Sequence, residues 1–174
     1  MKFLLGVLVG LLVVGVSGAV FAALGLFNTA ASIPPSTVET KIAGFTLDHS
    51  VARRAPKSTR GLPSDPDSRR DGLAHYKAMC LVCHGAPGVE SSEIAEGLNP
   101  PAPDLTLRRV QKRTDGEIFW IVQNGIRMTG MPAFGSTHKD EEIWKIVAFV
   151  RRLPALSPDE EKELKAAAAA ADAE

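Results

Sequence analysis

From Phe3 to Phe27 the chain places 25 residues in a row without a charge, most of them Leu, Val, Gly and Ala. A helix needs about 20 such residues to cross the hydrocarbon core of a bilayer, and this run would be roughly 37 Å long as a helix. The pattern predicts a membrane-spanning helix, so segment 1–31 reads as an N-terminal signal-anchor. Lys2 is its only charged side chain and lies before the apolar run, which favours an N-in, C-out orientation. A cleaved export signal has an apolar core of only about 7–15 residues, so length favours a retained anchor, although Ala22, Ala23, Ala30 and Ala31 offer small-residue cleavage sites. On either reading the rest of the chain is exported. Gly6 and Gly10 form a GxxxG spacing, taken here as the ordinary glycine of a membrane helix rather than a pairing motif.

The pattern breaks after this segment. Residues 32–68 hold Pro34, Pro35, Pro56, Pro63 and Pro66, scattered serines and no sustained period, the composition of a linker. As a flexible coil it would reach roughly 35 Å. Within it, Ile42, Phe45, Leu47 and Val51 supply enough apolar surface to lie against the body or a partner.

From 69 to 154 the period becomes helical. Asp67 or Ser68 is expected to cap a helix running through Cys83, with Leu73, Tyr76, Lys77 and Cys80 near one face. Thr114 and Glu117 form a capping box, opening a helix with Ile118, Phe119, Ile121 and Val122 that should stop at Gly125. A third helix spans 140–153, with acids in its first turn and arginines in its last, and Pro154 ends it. The tail, 155–174, carries a second capping box, Ser157 with Glu160, and Pro158 at the first helical position. Six alanines follow, Ala166 to Ala171, with a thin apolar face that predicts a peripheral helix. No alternating strand pattern occurs, so the body is expected to be all-α.

Charge alters little. Twenty basic residues balance twenty acidic ones, which removes the electrostatic case for nucleic acid. Oligomeric state leaves no mark on the sequence.

The chemistry concentrates in Cys80, Cys83 and His84. These are the only two cysteines, three apart, with a histidine directly after them. A structural zinc site needs four ligands, and this cluster offers at most three, two of them crowded by adjacency. A thioredoxin-like dithiol belongs between a strand and a helix, not in a helical body. Covalent haem attachment fits better. Thiols at i and i+3 on one helical face can reach the two vinyl groups of a porphyrin, and the next residue presents an imidazole to the iron. An electron-transferring haem needs a second axial ligand, and methionine is the one that raises the potential. The stretch 124–135 holds two candidates, Met128 and Met131. Pro132 biases its predecessor towards extended backbone, which holds the Met131 sulfur out of any helix.

With these motifs the chain resembles the class I c-type cytochromes over about 85 residues, from Arg69 to Leu153. The resemblance implies about three main helices around one covalently bound haem c, preceded here by a single transmembrane helix and a linker. It makes His84 and Met131 the axial iron ligands, with Met128 the runner-up. It also implies that the Pro103 carbonyl accepts a hydrogen bond from His84, that Leu105 packs on the porphyrin, and that Gly72 and Tyr76 cross Ile146 and Phe149. Leu105, Ile118, Trp120, Ile126 and Phe134 should form an apolar pocket that raises the potential by disfavouring the ferric charge.

The implied function is single-electron transfer between redox protein partners, with the haem domain membrane-anchored on the exported, periplasmic side. The alternatives are a fixed subunit of a respiratory oxidoreductase complex and, less favoured because of the Met-Pro loop, a five-coordinate haem enzyme or sensor. One feature departs from the lysine ring of a freely diffusing carrier. Arg108, Arg109, Lys112 and Arg113 cluster before the middle helix, while Glu90, Glu93 and Glu96 lie ahead of them, a dipolar layout that can orient docking.

Overall fold

The computed structural model describes residues 2–57 and 61–171. Met1, residues 58–60 of the expected linker and residues 172–174 of the expected tail lie outside the described residues. The chain forms two compact units, Met1–Ile33 and Pro34–Glu174.

The first unit is helix α1, Lys2–Ala23, exposed along its whole length. Its 22 residues make it long and apolar enough to cross a membrane, at about 33 Å. It ends four residues before Phe27, because Gly25 takes a φ of +64° that reverses the chain.

The second unit is built of helices, including two short ones, α5, Glu93–Glu96, and α6, Arg108–Gln111, and among its described residues no strand occurs. Its centre is a crossing between α3, Pro66–His75, and α8, Asp140–Arg152. Gly72 makes the crossing possible, since a Cβ there would press into the Lys145 carbonyl oxygen and lie 3.1 Å from the Phe149 Cβ. Tyr76 and Phe149, almost fully buried, meet beside it with ring centroids 5.2 Å apart. The expected pairing of Gly72 and Tyr76 with the last helix is therefore present. Gly72→Ala should lower stability by about 3 kcal/mol through overpacking against backbone. A thermal melt unchanged in midpoint would count against this tight approach.

Capping places the helix starts. Asp65, rather than Asp67 or Ser68, caps α3: its carboxylate accepts from the Ser68 amide at 2.9 Å, and Pro66 takes the first helical position. The Thr114–Glu117 capping box opens α7, Asp115–Asn124, which ends at Gly125 as expected. Phe119 of α7 stacks on Trp144 of α8, centroids 4.3 Å apart.

Two further expectations need correction. The segment read as a coil linker contains an 18-residue helix, α2, Thr37–Arg54, capped by the Ser36 hydroxyl. It docks on α7: Val51 is fully buried, Gly116 leaves room for the Pro56 carbonyl, and Arg113 pairs with Asp48. Its apolar positions hid it, because they divide between opposite faces and no single stripe shows. The tail also packs more firmly than a peripheral helix. In α9, Pro158–Ala171, Leu164 is fully buried, Glu163 pairs with Lys77, and Ala167 and Ala168 pack on the core.

An ion pair ties α9 to α8. Arg152 donates to Glu160 at 2.9 Å, and the Ser157 amide donates to the same carboxylate oxygen at 2.7 Å. The Arg152 bond first, then the Ser157 bonds, hold the Glu160 carboxyl at about 2, below its ordinary value of 4.5. A depressed carboxyl stabilises the fold fully above its unfolded value and loses that contribution as pH falls. The docking of α9 should thus weaken as pH drops from about 4.5 towards about 2. Glu160→Gln should show a flatter acid limb in a pH series of thermal melts, and an identical limb would assign the acid sensitivity elsewhere.

Candidate metal centre

Helix α3 does not run straight into the cysteine motif. A π-helical turn, Tyr76–Cys80, intervenes before α4, Leu81–His84. Such one-residue insertions rotate the following side chains relative to a regular helix and are frequent at functional sites. The Tyr76 hydroxyl then donates to the Gly85 carbonyl at 2.6 Å, bracketing the motif from both ends. Gly85 ends α4 at φ +59°, where a Cβ would lie 2.6 Å from the Val89 carbonyl oxygen.

Both thiols are unpaired. Cys80 is buried within the main apolar core, and burial first, with Cys83 adding to it, pushes its thiol up to about 12. Cys83 is half-buried.

His84 Nδ1 lies 2.8 Å from the Pro103 carbonyl oxygen. A carbonyl can only accept, so the proton sits on Nδ1 and the Nε2 lone pair is left for a metal. Burial lowers the pKa of His84, partly countered by that hydrogen bond, and so favours the neutral ring that coordination requires.

The Pro103 segment is itself held. Asp104 accepts from the Thr106 amide and hydroxyl at 2.7 Å, and Gln111 Nε2 donates to the Leu105 carbonyl at 2.7 Å and the Val150 carbonyl at 3.1 Å. Arg151 reaches the same region from α8, donating to the Gln111 and Arg113 carbonyls and pairing with Asp115. Sequence reasoning missed Gln111 and Arg151. Apart from Leu105, their partners lie 36 to 40 positions away, and neither belongs to a motif.

The two methionines differ sharply. Met131 is half-buried and packs on the core cluster that contains Cys80, as do Leu105 and Phe134. Its loop is closed by its own bonds: the Ile126 amide donates to the Met131 carbonyl at 3.2 Å, Thr129 Oγ1 donates to the Ile126 carbonyl at 2.7 Å, and the Met131 amide donates to Thr129 Oγ1 at 3.1 Å. Gly125, at φ +64°, lets this loop close, since a Cβ there would lie 2.7 Å from the Met131 carbonyl oxygen. Met128 projects away, 90% exposed and at φ +60°. Of the other expected pocket residues, Ile118 is buried, while Trp120 and Ile126 are half-buried.

This donor set suits a haem c: two free thiols at i and i+3, an imidazole with its Nδ1 fixed, and a thioether against the same core as Cys80. Residues 67–150 match the family model described as cytochrome c oxidase, cbb3-type, subunit III. A solved structure, the c-type cytochrome XoxG from Methylobacterium extorquens AM1, is 20% identical, with 69% of this chain and 91% of that chain covered and a TM-score of 0.39. A comparison with curated proteins finds no match. On the family match, residues 67–150 form a class I c-type cytochrome domain. It is a haem protein of electron transfer, and its cofactor is covalently bound haem c.

Proposed function

We propose that this chain is a membrane-tethered monohaem carrier, passing single electrons between redox partners on the exported side. Cys80 and Cys83 would hold one haem through thioethers, with His84 and Met131 on the two faces of its iron. When bound, the haem supplies a reversible one-electron ferrous–ferric couple. The observation that carries the reading is the His84–Pro103 hydrogen bond beside an unpaired CxxCH. Pro103 fixes the plane of the imidazole and raises its basicity. Met131 would supply the second iron ligand, which would leave no open position for a substrate and favours a carrier over an enzyme. The apolar side chains of Leu105, Ile118 and Phe134 exclude water and disfavour added positive charge.

A second reading, a fixed subunit of a respiratory oxidoreductase, draws support from the description of the matching family. The full chain, purified in mild detergent, tests both. One haem per chain and a ferrous spectrum unmoved by carbon monoxide are expected, while a carbon monoxide shift would overturn the carrier reading. Co-purification at fixed stoichiometry with other membrane subunits would replace the shuttle by the subunit. N-terminal sequencing of the membrane fraction should return Met1, and a start near Ala23 or Ser32 would remove the tether.

A further inference from the structure

Helix α2 has two apolar faces, and only one is used by the body. At about 100° per residue, Leu47 and Val51 lie on one side and Val38, Ile42 and Phe45 on the other, nearly opposite. The first face is docked on α7. The second faces solvent: Val38 is 67% exposed, Ile42 62% and Phe45 65%, and the His49 ring continues the stripe, its centroid 4.0 Å from that of Phe45. Lys41 and Arg53, both exposed, flank it.

We propose that this outward stripe lies in the interfacial layer of the membrane that α1 crosses, so that α2 mounts the haem domain on the bilayer in one orientation. The inference rests on the tether reading above. Chain length carries the first part of the argument. Nine residues, 28–36, separate Phe27 from Thr37, so even fully extended the link holds the two at most about 36 Å apart. A retained anchor therefore keeps α2 close to the lipid surface at all times. Area carries the second. From Val38 to Phe45 the stripe runs only about 10 Å along the helix. A stable protein interface buries roughly 800 Å² on each partner, more than three side chains provide, so a second copy is a poor occupant. An apolar face of Val, Ile and Phe with basic residues at its edges is instead the pattern of a helix lying in the headgroup boundary.

The test uses the full-length holoprotein in phosphatidylcholine vesicles, with and without phosphatidylglycerol. A nitroxide is attached after haem incorporation at Phe45→Cys, at Ile42→Cys, or at Glu39→Cys on the flank of the helix. Power saturation then compares accessibility to oxygen, which concentrates in lipid, with accessibility to an aqueous nickel chelate. The oxygen-to-nickel ratio at 45 and 42 should exceed that at 39 several-fold, with an unchanged haem spectrum showing the fold intact. Equal ratios at all three sites, in protein that stays with the vesicles after an alkaline wash, would overturn the inference and leave the tether standing. Labels at 45 and 42 shielded from both reagents would also overturn it, by showing a protein occupant. Protein released by the wash would overturn the anchor and this inference with it.

Discussion

Replacing both Cys80 and Cys83 with alanine should abolish covalent haem, while either single replacement should leave at most one thioether. The physical case is that no other side chain in the protein can form these bonds, because the chain has only these two cysteines. Acid–acetone extraction reads the result. It should strip all haem from the double variant and none from the native protein, and extraction of native haem would refute the central chemical assignment. Cys80 is also a core residue, 7% exposed, so its truncation carries a packing cost of about 1 kcal/mol for the lost buried atom. Helix content by circular dichroism separates the two effects. A double variant that keeps its helices but loses its haem reports on attachment, and the packing loss alone is too small to unfold a domain of ordinary stability.

The sequence disclosed those parts of this molecule that depend on local chemistry. The Thr114–Glu117 box, the stop at Gly125 and the charge order of α8 follow from interactions within four residues, and the structure has all of them. The crossing of Gly72 against the helix that carries Phe149 was legible only through the family resemblance, since it joins segments more than 70 residues apart, and its closest contact, the Lys145 carbonyl, was not foreseen. The π-helical turn at Tyr76–Cys80 was not legible at all. It inserts one residue into a helix without altering any residue type that signals a break, and its bracket, Tyr76 to Gly85, is a tertiary hydrogen bond. The same limit hid Gln111 and Arg151, whose role is to bind carbonyls set by the fold.

Helix α2 was missed for a different reason. Periodicity arguments look for one apolar face, and α2 distributes Val38, Ile42 and Phe45 opposite Leu47 and Val51. With Pro34, Pro35 and Pro56 at either end, the composition resembled a coil. The difference changes the functional picture. A 37-residue coil would let the haem domain sweep a wide volume, whereas a docked helix leaves nine residues between Phe27 and Thr37. A short tether raises the effective concentration at partners within reach and removes those beyond it. On the tether proposed above, a link of this length suits transfer between partners close to one another in the same membrane.

Met131→Ala should change the redox centre more than any other substitution outside the CxxCH motif. The loop bonds that position residue 131 are made by its backbone and by Thr129, so truncating the side chain leaves the loop closed. What is lost is the sulfur. The ferric protein should lose its sulfur-to-iron charge-transfer absorption, the ferrous protein should bind carbon monoxide, and the potential should fall by on the order of 0.1 V within the roughly 0.8 V that axial ligands span. Met128→Ala is the paired control. Its side chain is 90% exposed and its backbone sits at φ +60°, so alanine removes no core contact and relieves no ligand. That variant should keep the absorption, the potential and the indifference to carbon monoxide. If Met128→Ala loses the charge-transfer absorption and Met131→Ala keeps it, the axial assignment moves to Met128. The half-buried packing of Met131 against the core would then be filler, and the loop would have to turn over when haem is attached.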